Sequence, residues 1–254
     1  MKLAAIQYRP PKGQPAQARE DLAVLIRRAG EQGADIIVCP EMATSGYIWP
    51  DEQSLHPHAE SAQGPTLATL SPLAKAFGAW IVCGFPEQDR GLLFNAALVV
   101  APDGSLAHCY RKMLLYTADM HWACPGGRRV VCDTAVGRMA PAICMDLNDN
   151  ELLRFVGQAN VDVLAFCTNW IEENSDVHAY WRWRLSRWSG WLVAANTWGE
   201  DSGTVFSGRS AIMAPSGAVV AQSAATGDDV LVVDTAELTE KQLRAPPRTF
   251  FWPW

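Results

Sequence analysis

The period of the apolar positions changes several times along the chain, and each change marks an element. Residues 3–7 read as a short strand. Residues 16–32 carry Leu22, Val24, Leu25 and Ala29 at helical spacing and finish on Gly30 and Gly33, predicting an amphipathic helix. Residues 35–39 are a continuous apolar run stopped by Pro40, as expected of a strand buried on both faces, and 40–47 follow as loop. The helical period returns at 65–77, and 80–85 form a buried strand ended by Pro86. Residues 93–101 and a partner starting at Leu106 predict a hairpin around Pro102-Asp103-Gly104. After a loop-rich stretch, 129–133 and 138–143 pair as strands, 151–158 and 178–189 are helices, and 161–166 and 191–195 are buried strands. A second hairpin (210–214 with 218–221) turns at Pro215-Ser216-Gly217, before a strand at 229–234 and a short helix at 238–243.

Strands and helices alternate, with hairpins inserted, which predicts a mixed α/β protein with two layers of sheet. No linker, low-complexity tract or break in composition divides the chain, so 1–254 is expected to form a single domain. The runs IIVCPEM and VLAFCTNW are alike, each an apolar strand with a cysteine near its end, and hint at a repeated half.

Composition narrows the setting. Of 254 residues, 49% are hydrophobic and 19% charged, enough apolar material for a sizeable core. The net charge of −6 and the lack of a Lys/Arg run argue against nucleic acid or an anionic membrane surface as partner. No apolar run approaches a membrane span, and the opening MKLAAIQYRP turns polar too soon for a signal peptide. Seven cysteines without a CxxC pair fit a reduced, cytoplasmic compartment with free thiols. Eleven tryptophans, six of them between Trp170 and Trp198, predict an aromatic-walled pocket or an interface. The apolar tail at 246–254 is expected to pack on its own core or on a partner subunit.

Three strand ends carry candidate chemistry. Glu41 follows DIIVCP, Lys112 ends the hairpin strand in CYRKM, and Cys144 closes the apolar strand 139–143 before a turn holding Asp146, Asn148, Asp149 and Asn150. The C-terminal ends of buried strands are where α/β proteins build their sites. A thiol there, just before a helix start, lies among backbone N–H groups that favour a thiolate and can hold an oxyanion. Read singly, each has a plainer alternative: Cys144 as core filler, Glu41 as a turn carboxylate, Lys112 as a solvated lysine. Cys39, Cys83 and Cys167 read as core thiols. Neither His121 nor His178 shares a motif with a cysteine, so a Cys–His dyad has little support. No HExxH, paired Cys/His spacing or GxxxxGK[ST] occurs, so no metal or nucleotide cofactor is expected.

In combination these motifs resemble the carbon–nitrogen hydrolases of the nitrilase superfamily. PEMATSGY surrounds Glu41, YRKM contains Lys112 and AICMDLN contains Cys144. FNAALVVAPDG, LAFCTNW, LVAANTWG and FSGRSAIMAPSGAVVAQ match the family's other strands and hairpins in the same order, over nearly the whole chain. The resemblance implies a four-layer α-β-β-α sandwich, an amidase-like member that hydrolyses a small linear amide without a cofactor, and a homodimer. It implies that Cys144 is the nucleophile, Glu41 the general base, and that Lys112 with the Met145 backbone N–H holds the oxyanion. It also implies a pocket bordered by Tyr47, Asn148, Asn169 and Trp170, although Tyr47, Asn169 and the tryptophans, Trp198 included, read equally well as core.

Three departures stand out. The family's second glutamate falls here on Asp119, one methylene shorter, placed to orient Lys112 or the substrate. Asn148-Asp149-Asn150-Glu151 replaces the Arg-Phe-Pro-Glu common after the nucleophile, and Arg187-Trp188 replaces a Glu-Asn pair near the subunit interface. A carbamoyl compound or a nitrile is the alternative substrate on the same fold. An acyltransferase working through the same thioester and a non-catalytic interaction protein are the alternatives of a different class.

Overall fold

The computed structural model describes residues 1–244. The expected aromatic tail at 246–254 lies outside them. The elements run β1 (Lys2–Gln7), α1 (Pro15–Glu31), β2 (Ile36–Val38), α2 (Glu52–Leu55), α3 (Pro65–Phe77), β3 (Trp80–Asp89), β4 (Leu92–Val100), β5 (Leu106–Arg111), β6 (Cys132–Thr134) and β7 (Gly137–Ile143). They continue with α4 (Asn150–Gln158), β8 (Val163–Thr168), α5 (Val177–Arg184), β9 (Trp191–Asn196), β10 (Trp198–Asp201), β11 (Thr204–Ser207), β12 (Ala211–Met213), β13 (Val219–Gln222) and β14 (Asp229–Asp234).

Two six-stranded sheets, ordered β14-β1-β2-β3-β4-β5 and β13-β12-β9-β8-β7-β6, make up the body. Each has three parallel strands at its centre, β1-β2-β3 in one and β7-β8-β9 in the other, flanked by antiparallel ones. Alternation along each strand decides which layer a side chain enters. In β1, Ala4 and Ile6 face a cluster with Leu22 and Ile26 of α1 and Leu70 of α3. Leu3 and Ala5 face the other way and meet Ile143, Val163 and Val193 of the second sheet. On that sheet's far side Leu164 and Leu192 pack with Leu152 of α4 and Trp181 of α5. The layers are therefore helix, sheet, sheet, helix: the four-layer α-β-β-α sandwich the resemblance implies.

Several boundaries differ from the periodicity. β3 runs through Pro86, because its pairing with β2 stops at Val82 and beyond it only loop residues bond to that side, where Pro86 needs no N–H and its carbonyl accepts from Glu60 N at 3.1 Å. Val24, 54% exposed, lies two residues from Leu22 and hence off the buried face of α1. α5 stops at Arg184, since the chain then tightens into three-residue turns that aim Trp188 Nε1 at the Val161 carbonyl, 2.8 Å away. The short helix expected at 238–243 is a run of turns. The β10–β11 hairpin was not legible as strands. It turns at Ser202-Gly203, both left-handed (φ +51° and +82°), as a two-residue hairpin of matching twist requires.

Candidate active site

β2 ends at Val38, and the chain turns through Cys39-Pro40 to present Glu41. The turn lies directly on β3 at Gly84, where an added Cβ would stand 2.4 Å from the Pro40 oxygen and 2.6 Å from Glu41 Cα. Only glycine allows main chains this close. Two main-chain bonds fix the contact: Gly84 N donates to Pro40 O (3.1 Å) and Ala43 N to Gly84 O (2.9 Å).

Lys112 follows β5, and its backbone N–H donates to Asn95 O of β4 at 2.8 Å. Its ammonium lies 2.7 Å from Glu41 Oε1 and 2.6 Å from Asp119 Oδ2, with all three side chains fully buried. A 3-10 turn at Asp119–His121 brings the shorter carboxylate up to the lysine. Asn95 Nδ2 bridges the two acids, 2.7 Å from Glu41 Oε1 and 3.0 Å from Asp119 Oδ1. The second Glu41 oxygen accepts from Asn169 N at 2.8 Å, across the sheet interface. Two carboxylates thus share one ammonium. Burial raises the Glu41 carboxyl above its ordinary value, while Lys112 pulls it back. Burial alone would lower Lys112, but Glu41, Tyr47 and Asp119 outweigh it and hold the ammonium well above its usual range.

β7 delivers Cys144 from the other sheet. The residue is left-handed (φ +40°), rare for a non-glycine, and opens a 3-10 turn over Cys144–Asn148. Asp146 clamps that turn. Its buried carboxylate accepts from Ile143 N (3.0 Å), Met113 N (2.9 Å), Leu114 N (2.9 Å) and the Tyr110 hydroxyl (2.7 Å). Because Met113 and Leu114 directly follow Lys112, one carboxylate ties the thiol's turn to the lysine's segment. Burial, then the Glu41 charge, push the Cys144 thiol up to about 12, against Lys112, Thr168 and the Asn169 N–H. The shift runs opposite to the strand-end expectation of a thiolate: burial favours the protonated sulfur, for which a base would take the proton.

Cys144 opens on a cavity of about 360 Å³, and Tyr47, Met145, Asn148, Asn169 and Trp170 border it with the sulfur. Trp170 is pocket wall and core at once, since it also packs edge-on against Trp181 with centroids 5.8 Å apart. Trp198 instead borders a neighbouring cavity with Arg9 and Lys12. His121 is exposed, and His178 Nε2 sits 2.8 Å from the Arg209 carbonyl in a third cavity, so neither joins the thiol. Sequence reasoning assigned no role to Asn95, Asp146, Tyr116, Glu173 or Tyr180. Asn95 had a signal, a lone amide inside the apolar run LLFNAALVV, where a buried polar group must find partners. Glu173 and Tyr180 had none, because they reach the cavity from a loop and a helix face that only the folded chain brings there. Among the described residues, no group of three His, Cys, Asp or Glu side chains could hold a metal ion, and no helix is long and apolar enough to cross a membrane.

Fold and site together describe an α-β-β-α hydrolase with a cysteine facing a buried carboxylate–ammonium pair. The sequence model of the carbon–nitrogen hydrolase family matches residues 2–244, and the chain belongs to that family. It is 29% identical over 237 residues to a nitrilase from Pyrococcus abyssi, covering 92% of this chain and 89% of the relative. With an omega-amidase from Bos taurus it shares 32% identity over 155 residues, 56% of this chain and 54% of the relative. Among solved structures, a variant of the amidase from Nesterenkonia sp. AN1, with acrylamide added to its active site cysteine, shares the fold. Its TM-score is 0.82 at 21% identity, covering 92% of both chains.

Proposed function

We propose that this carbon–nitrogen hydrolase cleaves the C–N bond of a small linear amide through a thioester on Cys144. The observation that carries the reading is the convergence of a cavity-lining thiol and a sealed Glu41–Lys112 pair at one place. Cys144 Sγ attacks the carbonyl carbon while its proton passes to Glu41. The negative oxygen of the tetrahedral intermediate is held by Lys112 and the Met145 N–H. As the C–N bond breaks, Glu41 returns the proton to the leaving nitrogen and ammonia or an amine departs. Water then adds to the thioester carbonyl, its proton again taken by Glu41. Collapse expels the sulfur, which recovers the proton, and frees the carboxylic acid. Asp119 acts by holding Lys112, and Tyr47, Asn148, Asn169 and Trp170 contact the substrate.

The cysteine adduct in the amidase from Nesterenkonia and the omega-amidase relative support the amide reading. The nitrilase from Pyrococcus abyssi favours a nitrile as the second, since a nitrile meets the same nucleophile. Ammonia release from a panel of amides, carbamoyl amines and nitriles separates them, with Cys144→Ala as the control. Undiminished release by that variant would sink the mechanism, and activity confined to nitriles would reverse the ranking. The proposal extends to a cytoplasmic homodimer in which residues 246–254 reach the partner. Deleting 249–254 should then lower the mass in solution, and an unchanged dimer refutes that contact.

A further inference from the structure

The wall of the Cys144 cavity has an uneven charge. Four aromatic rings border it, those of Tyr47, Tyr116, Trp170 and Tyr180, with Trp170 and Tyr180 centroids 5.4 Å apart. Among the described residues, its bordering side chains include no lysine, arginine or histidine, and one carboxylate, Glu173. Glu173 is exposed at the mouth and enters no ion pair or hydrogen bond with a described residue. Three cations on neighbouring segments have hydrogen-bond or ion-pair partners outside the cavity. Arg184 Nε donates to Leu147 O (2.9 Å), Arg209 pairs with Glu172 (3.0 Å), and Lys12 is held by Asp201 (2.5 Å) in the adjoining cavity. Glu173 is close enough to Tyr116 and Tyr180 that its charge helps raise both phenols: at Tyr116 it follows burial, and at Tyr180 it follows burial and the opposing charge of Arg184.

At the inner end lies a second negative region, two carboxylates sharing the ammonium of Lys112. Beside it, the buried Tyr47 hydroxyl and Asn169 Oδ1 line the cavity without a hydrogen-bond partner among the described residues, placed to receive the polar atoms of an amide. Electron-rich ring faces and an unpaired carboxylate at the mouth attract a cation and repel an anion.

We propose that the amide this chain hydrolyses is cationic, a linear carboxamide whose far end carries an ammonium or guanidinium held between Glu173 and the rings of Tyr116 and Tyr180. This rests on the amide reading above and specifies its substrate class. The amide end sits at Cys144, and the positive end points to the mouth.

Three amides of matched length test it: δ-aminovaleramide (cationic), hexanamide (neutral) and glutaramate (anionic). At low ionic strength the kcat/KM of the intact enzyme should fall in that order, with the cation preferred over the neutral amide by about 10-fold, as a partly exposed ion pair plus ring contacts would give. Glu173→Gln should bring that ratio close to one, Glu173→Lys should invert it, and added salt should shrink it in the intact enzyme alone. Hexanamide turnover equal to or faster than that of the cation, or a preference that survives Glu173→Gln, overturns the proposal while leaving amide hydrolysis standing. Ammonia from none of the three overturns the amide reading and this inference together.

Discussion

The two sheets are built alike and equipped differently. Each has three parallel strands, an antiparallel edge on one side and an antiparallel hairpin on the other. The middle parallel strand of the first, β2, leads to Glu41. Its counterpart β8 leads to Asn169, and these two ends meet in the bond from Asn169 N to Glu41. The first sheet supplies charge, with Glu41, Lys112 and Asp119 sealed from water. To the reacting groups the second supplies neutral ones, Cys144 and the amide of Asn169, and Cys144 opens on the cavity. A sealed charge cluster holds its proton-accepting carboxylate in place without bulk water, while an open thiol can meet substrate. Acid–base chemistry and access are thereby placed on separate scaffolds.

The largest expected difference is in how each half tolerates loss. Lys112→Met removes the partner of two buried carboxylates and should cost about 3–5 kcal/mol of stability as well as activity, because stranded buried charge is expensive. Cys144→Ala should lose activity equally and keep its fold. Urea unfolding of both variants, beside ammonia release, checks this; equal stability would mean that the buried carboxylates do not depend on Lys112. Next comes the clamp between the halves. Asp146→Asn turns an acceptor of four bonds into a poorer one and should cost about 2 kcal/mol, with turnover down on the order of 10–100-fold. Unchanged turnover would show that the halves hold register without it.

The pH profile tests the sealed half alone. Glu41 must be ionised to accept a proton, and its carboxyl is raised, so kcat/KM should fall with a slope of one as pH drops through a value above the ordinary glutamate range. A limb at the ordinary value would place the limiting group elsewhere. The smallest effect lies at the rim, where Asp201 accepts from Tyr47 N (3.2 Å), Ile48 N (3.1 Å) and Lys12, tying the β10–β11 hairpin to the Glu41 loop. Burial opposes its charge, but these donors outweigh that and lower its carboxyl. The contribution is present above the ordinary aspartate value and is lost as pH falls through the lowered one. Asp201→Ala should cost about 1 kcal/mol, a fall of roughly 2–4 °C in Tm at neutral pH.

The strands and the three strand-end residues were legible because apolar runs and proline stops are local, and because motif order exposes residues far apart in sequence. Asp119 was legible by its spacing from Lys112, though not that a 3-10 turn would bring it to 2.6 Å of the ammonium. The upward shift of the Cys144 thiol was not, since it depends on burial and on Glu41, 103 residues upstream and on the other sheet. Tyr116, Glu173 and Tyr180 come from three separate segments with no periodicity that points to a shared wall.

The contact at Gly84 sets how this protein can change. With backbone against backbone, no side chain can be traded to move Glu41, so a library of substitutions at position 84 should yield almost no folded, active clones. Position 173, on an exposed loop, should accept nearly all of them. New substrates would then be acquired by resculpting the mouth of the cavity, with the proton-transfer geometry inherited unaltered.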